Sequence, residues 1–479
     1  MLFNSLQFVF FFPIVVAAYF ALKPKYRWIL LLLASYYFYM CWNYKYIVLI
    51  ILSTVVDYFA GIILHKTERR RLRILVLMAS LVTNLGLLFF FKYFNFFGES
   101  INYLLDKVNI FYNVPAYDFL LPVGISFYTF QTLSYTIDIY KRKQEPEYHF
   151  GRFALFVSFF PQLVAGPIER SVNLLPQFRQ VYTFEYERVK NGLLLMGWGF
   201  FKKVVIADRL AEYVNMVYNN PQDFAGLHNI IATFFFSFQI YCDFSGYSDI
   251  AIGAALVLGY KLMTNFRRPY FSQNIREFWT RWHISLSTWF RDYVYISLGG
   301  NRVVKWRWYY NLFITFLVSG LWHGAEWTFV IWGAIHGLYL VIAIVTLKYR
   351  EAINDWIGIS KFPGLYKFVQ ILITFVLVYF SWIFFRASNL PEAILILKNH
   401  FVFEHHTAIN LFRIPADFYI AFGSIFVLLL LDFSEERFMI SHQIRKLPIY
   451  LKWGLLFLFI SVIFLFGVWN EADFLYFQF

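Results

Sequence analysis

Long apolar runs restrict the folds open to this chain more than any other feature. Hydrophobic residues make up 60% of its 479 residues and charged residues only 15%, whereas soluble domains carry about 25% charged residues. The runs extend over about 15 to 20 residues and lack the alternation of membrane β-strands. Because a backbone in lipid must satisfy its own hydrogen bonds, such runs form helices. The sequence therefore predicts an all-α, polytopic integral membrane protein that crosses the bilayer roughly a dozen times.

The predicted spans are separated by short loops that carry basic residues. We place spans at 1–22, 28–42, 46–64, a stretch that ends near 91, 119–140, 308–322, 327–347, 368–385, 416–431 and 451–469. The net charge of +13 lies largely in the loops and follows the positive-inside rule, which puts the N-terminus outside. The bilayer thus explains the basic charge, and we expect no nucleic-acid partner. Segment 1–22 lacks a basic start, so we expect a retained span rather than a signal peptide.

Two middle segments do not fit simple spans. The run 153–170 contains Pro161, Gly166 and Pro167, so it is either a re-entrant element buried in protein or a proline-kinked helix. The run 266–305 holds seven Arg and Lys residues among many aromatic ones. It is too basic for a span, and we expect helices at the cytoplasmic interface or in a polar cleft.

We expect a single membrane domain over residues 1–479. It would consist of peripheral spans in 1–145, a core in 150–347 and C-terminal spans in 365–479, with re-entrant and interfacial helices. Residues 98–117 are more polar, and we expect a loop there outside the membrane.

Two histidines are the strongest candidates for chemistry. His323 lies in a run with few charges, and His283 lies in an aromatic one. An ionisable side chain in such a setting is costly to bury, which favours a function. Burial also keeps an imidazole neutral and able to accept a proton. The alternatives are a core histidine bonded to a carbonyl at 323 and a helix cap at 283.

His336 competes with His323. Each lies in a frame of small residues that lets a helix approach closely, Gly320–Gly324 for His323 and Gly333–Gly337 for His336. On one unbroken helix the two histidines would be about 20 Å apart on largely opposite faces. We therefore place His323 in the centre and give His336 a supporting role.

Other polar residues receive supporting roles. Asp243 and Ser245 lie in an apolar setting, and we expect them to bond to basic residues such as Arg281 or Arg291 rather than to form an ion path. Glu326 stands three residues after His323, the spacing of a metal pair, but no second pair occurs, so we expect no metal.

Several known motifs are missing. The sequence contains no phosphate-binding loop, no serine-hydrolase elbow and no zinc-protease motif. Nucleotide-driven transport is therefore disfavoured. Cys41 and Cys242 both lie in or beside apolar runs and predict packing rather than a disulfide.

Five segments carry a family resemblance. They read FFPQLVAGPIER (159–170), YCDFSGYSDIAIG (241–253), NFRRPYFSQNIREFWTRWHISLSTWFRDYVYISLGGNR (265–302), SGLWHG (319–324) and the terminal FLYFQF (474–479). Together they resemble the membrane-bound O-acyltransferase family, in particular its bacterial branch for alginate O-acetylation and lipoteichoic acid D-alanylation. The likeness extends over nearly the whole chain, from the opening MLFNSLQFVFFFP.

The resemblance implies an O-acyltransferase with His323 as the catalytic residue and His283 as its polar companion. The core in 150–347 would then be catalytic, with its helices around a central polar tunnel. A cytosolic acyl thioester, acetyl-CoA, would be the donor substrate, with no bound cofactor. The acceptor would be a hydroxyl of an extracytoplasmic polysaccharide or of a relay protein that modifies it. His283 would orient or hydrogen-bond the thioester or the developing oxyanion. The expected location is the bacterial cytoplasmic membrane.

The basic residues near His283 have two readings. Arg267, Arg268, Arg302 and Lys305 are candidates for binding the phosphates of the donor, and ordinary positive-inside placement explains them equally well. Two other functions stay open: a transporter or flippase of a cell-envelope polysaccharide pathway without covalent chemistry, and a scaffold in which both histidines are dispensable.

Overall fold

Helices form every regular element in the part of the chain that the structure describes. The computed structural model describes residues 1–110, 114–117, 120–164, 166–403, 411–469 and 474–475, and no strand occurs among them. The predicted all-α fold is therefore confirmed. Contacts group the chain into two compact units. Unit 1 comprises Met1–Met196 and Tyr247–Met263, and unit 2 comprises Gly197–Gly246 and Thr264–Phe479. The predicted division at 145–150 and 347–365 stays a prediction.

Unit 1 consists of long helices followed by short ones. They are α1 (Leu6–Ala21), α2 (Pro24–Met40), α3 (Ile47–Lys66), α4 (Arg70–Leu88), α5 (Phe94–Lys107), α6 (Ile125–Tyr140), α7 (Phe150–Ser158), α8 (Phe160–Leu163), α9 (Ser171–Leu174) and most of α10 (Tyr186–Phe200). Local signals set the boundaries: the Ser5 side chain accepts from the Phe8 amide at the start of α1, and Pro24 opens α2.

The loop predicted at 98–117 is wrong in its first half. A turn of π-helix, Phe89–Tyr93, joins α4 to α5, so one apolar helix extends from Arg70 to Lys107. Asn95 and Asn102, on α5, exchange hydrogen bonds with the backbone of Tyr117 and Val114. The polar side chains that suggested a loop thus bind the segment that folds back onto the helix.

The run 153–170 is broken into two short helices. Pro161 has no N–H to donate, so α7 cannot continue through it, and the Phe160 amide instead donates to Ser35 Oγ over 3.0 Å. Every described residue from Phe153 to Glu169 is buried. Burial in protein is what a broken segment needs at membrane depth, and the re-entrant element stays a prediction.

Unit 2 contains the remaining helices. They are α11 (Asp208–Tyr218), α12 (Leu227–Leu258, which enters unit 1 at Tyr247), α13 (Ile275–Arg281), α14 (Ile284–Phe290), α15 (Lys305–His323), α16 (Trp327–Val345), α17 (Leu347–Ile357), α18 (Pro363–Arg386), α19 (Leu390–Asn399), α20 (Pro415–Phe438), α21 (Ile440–Ile444) and α22 (Ile449–Phe466). The basic run 266–305 thus forms the short helices α13 and α14, as predicted, and a π-helical turn, Arg291–Tyr295.

Six helices in the described part of the chain are long and apolar enough to cross a membrane. They are Tyr44–Lys66, Arg70–Lys107, Trp327–Val345, Pro363–Arg386, Pro415–Phe438 and Ile449–Phe466. The apolar helix α1 has only 16 residues. The chain is therefore a multi-pass membrane protein, and the predicted count of about a dozen spans is not confirmed.

A carboxyl group inside unit 1 was missed by the sequence reasoning. Asp57, on α3, is fully buried. It accepts hydrogen bonds from Ser80 on α4, from Asn84 on α4 over 2.9 Å and from Thr136 on α6 over 3.0 Å. These bonds tie three helices together, because an intramembrane carboxyl needs such partners.

Helices α15 and α16 form a hairpin with two glycines at its contact. A Cβ atom on Gly320 would lie 2.3 Å from the Phe329 carbonyl oxygen, and one on Gly333 would lie 2.3 Å from the Phe316 carbonyl oxygen. The small-residue frames predicted from the sequence thus face each other across this hairpin. The two helices approach as closely as their backbones allow.

We expect Gly320→Ala to destabilise the protein by about 1–3 kcal/mol, since the added methyl group forces the two helices apart. Gly423→Ala in α20 is the matched control, because a Cβ atom added there would meet no neighbouring group within 4 Å. Alanine there favours the helix by up to about 1 kcal/mol. Thermal unfolding in detergent measures both, and equal melting temperatures for the two variants would contradict the close contact.

Candidate active site

His283 lies in the short connection between α13 and α14. Its backbone adopts a left-handed conformation with φ +42°, which is uncommon for a residue other than glycine. Two backbone bonds hold it there: Ile284 N donates to Asn265 O and Arg267 N donates to Arg281 O, each over 2.9 Å. The side chain is completely buried. It occupies the N-cap position of α14 but makes no capping hydrogen bond, so the capping alternative does not account for its imidazole.

Asn265 anchors the His283 ring. Its Oδ1 lies 3.1 Å from His283 Nδ1, 2.9 Å from Ser285 Oγ and 3.2 Å from the Ser285 amide nitrogen. His283 lies outside the six candidate spans, and burial lowers its pKa to about 3. The imidazole is therefore neutral at physiological pH. The sequence reasoning missed Asn265, whose only signal was an amide in an apolar stretch just before the basic run.

His323 is the last residue of α15, where the chain turns back at Gly324 into α16. Three aromatic rings surround its imidazole: the ring centres of Trp322 and Trp332 lie 5.0 Å away and that of Phe385 lies 5.4 Å away. The residue is buried. Aromatic rings packed in this way exclude water from the imidazole.

The structure brings the two predicted histidines together. The ring centres of His283 and His323 lie 6.5 Å apart. Phe244, from the YCDFSGYSD segment, packs its ring edge-to-face against His283 with centres 4.6 Å apart. Three segments far apart in the sequence thus meet at one buried point in unit 2.

His336 is satisfied by its own hydrogen bonds. Trp279 Nε1 donates to His336 Nδ1 over 3.2 Å, so Nε2 carries the proton and donates to Ser381 Oγ over 3.0 Å. Ser381 in turn donates to the Val378 carbonyl oxygen. Because α15 and α16 are antiparallel, Trp332 contacts both His336 and His323, with ring centres 4.9 and 5.0 Å away. The premise of one unbroken helix is wrong, and the supporting role of His336 stays a prediction.

Asp243 and Ser245 bond to lysines rather than to arginines. Lys203 Nζ lies 2.7 Å from both Asp243 and Asp208, and Lys202 Nζ donates to Ser245 Oγ over 2.9 Å. Asp243 also accepts from the Leu475 amide over 2.8 Å. The expected partners Arg281 and Arg291 are therefore wrong.

Both arginines have carboxylate partners elsewhere. Arg281 pairs with Glu277, one helical turn earlier, and with Glu436. Arg291, which is more than half exposed, pairs with its neighbour Asp292. Both arginines are thus already paired, and moving either one into the buried surroundings of Asp243 would cost further desolvation energy.

The four residues proposed for donor phosphates differ in their surroundings. Arg268 pairs with Glu436 over 2.9 Å. Arg267, Arg302 and Lys305 are exposed, and their side chains form no ion pair with the described residues. Their role stays a prediction. Within the described ranges, no group of three His, Cys, Asp or Glu side chains is arranged to hold a metal ion.

Comparison with known proteins covers the segment that contains these residues. The model of the membrane-bound O-acyltransferase family matches residues 143–381, which include both histidines and Asn265. The probable alginate O-acetylase of Pseudomonas aeruginosa is 41% identical over 397 residues, which cover 82% of this chain and 73% of the relative. The chain belongs to the membrane-bound O-acyltransferase family.

Two other relatives in this family show the range of named substrates. The peptidoglycan O-acetyltransferase of Helicobacter pylori is 38% identical over 430 residues, with 83% of this chain and 79% of the relative covered. The teichoic acid D-alanyltransferase of Bacillus subtilis is 27% identical over 288 residues, with 57% and 71% covered. The predicted bacterial branch is thereby confirmed. The terminal FLYFQF, apart from Phe474 and Leu475, lies outside the described residues.

Proposed function

We propose that this protein moves an acetyl group from a cytosolic thioester donor, acetyl-CoA, to a hydroxyl group outside the membrane. The acceptor is a hydroxyl of a polysaccharide or of a relay protein that modifies the polysaccharide. Relatives named as O-acetylases of alginate and peptidoglycan support the reaction class. The observation that carries the proposal is the pair of buried histidines with ring centres 6.5 Å apart inside the family segment.

The distance between the rings excludes a direct hydrogen bond of ordinary length and suits reacting groups that lie beside both rings. An imidazole nitrogen lies only about 1.2 Å from its ring centre, so a direct hydrogen bond of about 3 Å would bring the centres to about 5.4 Å. The observed separation is larger. Facing nitrogens would be about 4.1 Å apart at that separation, too close for an oxygen atom on the line between them, so a substrate contacts the two rings from one side.

We assign the proton transfer to His323. Its neutral imidazole takes the proton as the acceptor oxygen bonds to the thioester carbonyl carbon. When the carbon–sulfur bond breaks, the resulting imidazolium returns that proton to the leaving thiolate, so the acceptor gains an acetyl ester and the donor leaves as a free thiol. His283, held by Asn265, orients the reactants beside it.

Donor and acceptor reach this point from opposite sides. Arg267, Arg302 and Lys305 are exposed and supply positive charge for the donor phosphates, while the acceptor enters from outside. We propose a polar tunnel that joins the two sides at the histidines, and we place the protein in the bacterial cytoplasmic membrane.

Thiol release from acetyl-CoA by the purified protein in sealed vesicles tests this function. We expect one free thiol for each acetyl group that appears in a polysaccharide or relay-protein acceptor supplied on the opposite side. A transporter would instead move substrate without cleaving the thioester. Movement of substrate with no thiol released would overturn the proposal.

A further inference from the structure

His283 Nδ1 lies 3.1 Å from Asn265 Oδ1 and 3.5 Å from Ser285 Oγ. The orientation of the Asn265 amide is fixed by a group that can only donate. The Ser285 backbone N–H lies 3.2 Å from Asn265 Oδ1. A backbone N–H cannot accept, so the facing Asn265 atom is the oxygen and not the amide nitrogen. His283 Nδ1, 3.1 Å from the same oxygen, must therefore carry its proton and donate.

This bond determines what the other ring nitrogen can do. In a neutral imidazole one nitrogen donates and the other accepts. With the proton on Nδ1, Nε2 bears the lone pair. His283 thus presents a hydrogen-bond acceptor, and in this form Nε2 cannot donate to a developing oxyanion.

We propose that Asn265 is a positioning residue for acyl transfer, which holds His283 in the Nδ1–H tautomer so that Nε2 accepts a hydrogen bond from an O–H or N–H group of a bound substrate. The proposal rests on the function proposed above. It assigns to His283 the orienting role and leaves stabilisation of the oxyanion to other donors. A third group that orients the ring of an active-site histidine is a recurring arrangement in catalysis, and Asn265 takes that place here.

The surroundings of His283 favour this reading over simple core packing. The left-handed backbone at His283 is strained, and the bonds between Asn265 O and Ile284 N and between Arg281 O and Arg267 N hold it. A histidine that only filled space would need neither the strain nor a fixed tautomer. The ring centre of His323 lies 6.5 Å from that of His283, so the ring with the fixed tautomer lies near the proposed base.

Two substitutions at this position separate positioning from packing. Asn265→Asp keeps an oxygen acceptor for Nδ1–H, and we expect acetyl transfer within about 10-fold of the unaltered protein. Asn265→Leu keeps the size but removes the acceptor, and we expect kcat to fall about 100-fold with little change in KM. Asn311→Leu is the control: Asn311 is equally buried in unit 2 and donates to the carbonyls of Leu298 and Gly300. We expect that variant to lose stability without a selective loss of kcat.

Nitrogen-15 NMR of histidine-labelled protein tests the tautomer without any activity measurement. The His283 signals are identified by their loss in His283→Gln. We expect a protonated Nδ1 and an unprotonated Nε2 at neutral pH, in the unaltered protein and in Asn265→Asp. A protonated Nε2, or an Asn265→Leu variant as active as the unaltered protein, would overturn the proposal. If the unaltered protein transferred no acetyl group, the proposed function would fail while the NMR result still decided the role of Asn265.

Discussion

His323→Gln is expected to lower acetyl transfer by about 10³-fold, since general base catalysis contributes about 10²–10⁴-fold. Glutamine keeps a polar side chain of similar length but cannot take the hydroxyl proton at neutral pH. The rate of acetyl incorporation into the acceptor by protein in detergent or vesicles measures the effect. The ring contacts of His323 with Trp322, Trp332 and Phe385 are also lost, so melting temperature must be recorded beside the rate.

His442→Gln is the matched control. His442 lies on the exposed helix α21, and the same change there should leave the rate as it was. A His323→Gln protein that folds and transfers acetyl groups at the normal rate would remove His323 from the mechanism. Loss of activity in both variants would point to a general effect of the substitution instead.

The largest expected effect on stability is that of Lys203→Met. The ammonium group of Lys203 lies between the carboxylates of Asp208 and Asp243, and all three side chains are at most 4% exposed. Removal of the shared cation leaves two carboxylates in a buried site, which costs about 3–5 kcal/mol. We expect a lower melting temperature and a smaller yield of folded protein.

Lys190→Met provides the comparison for a solvated ion pair. Lys190 pairs with Glu187 over 2.6 Å, but the side chains are 40% and 64% exposed, and solvated pairs contribute about 0–1 kcal/mol. The triple variant Lys203→Met, Asp208→Asn, Asp243→Asn should recover part of the stability, because it removes the charges that Lys203 balanced. Equal melting temperatures for Lys203→Met and Lys190→Met would show that the buried pairs do not carry this energy.

The sequence predicted the helices and the two histidines for the same reason. Long apolar runs specify helices in lipid, and an imidazole within such a run is conspicuous because it is costly to bury. His323 could thus be singled out in its apolar run. His283, 40 positions earlier, could be singled out in the aromatic run 266–305. The short helices α13 and α14 followed from a segment with too many basic residues to span the membrane.

The partners of these residues could not be predicted in the same way. Asn265 lies beside His283 because the backbone turns between them, and the hydrophobic periodicity of the sequence does not predict that turn. Asp243 pairs with Lys203 and with the amide of Leu475, which lie 40 and 232 residues away, and only the fold brings them together. The expected partners Arg281 and Arg291 lie about as far from Asp243 in the sequence as Lys203 does, so sequence separation could not identify the correct partner.

The loop expected at 98–117 failed because polarity was taken as the sign of a loop. Asn95 and Asn102 instead lie on a helix and bind a returning segment. Polar side chains in an apolar run here mark a tertiary contact rather than the end of the helix. Such a contact cannot be predicted from the local sequence.

Acetyl transfer in a single turnover, with His323→Gln, His283→Gln and the double variant compared side by side, tests the central claim most directly. If the two imidazoles act on one reacting group, each single variant loses most of the rate and the double variant is scarcely slower than the slower single one. Contacting residues that share a step show such non-additivity. Folded variants that all transfer acetyl groups at the rate of the unaltered protein would contradict the account.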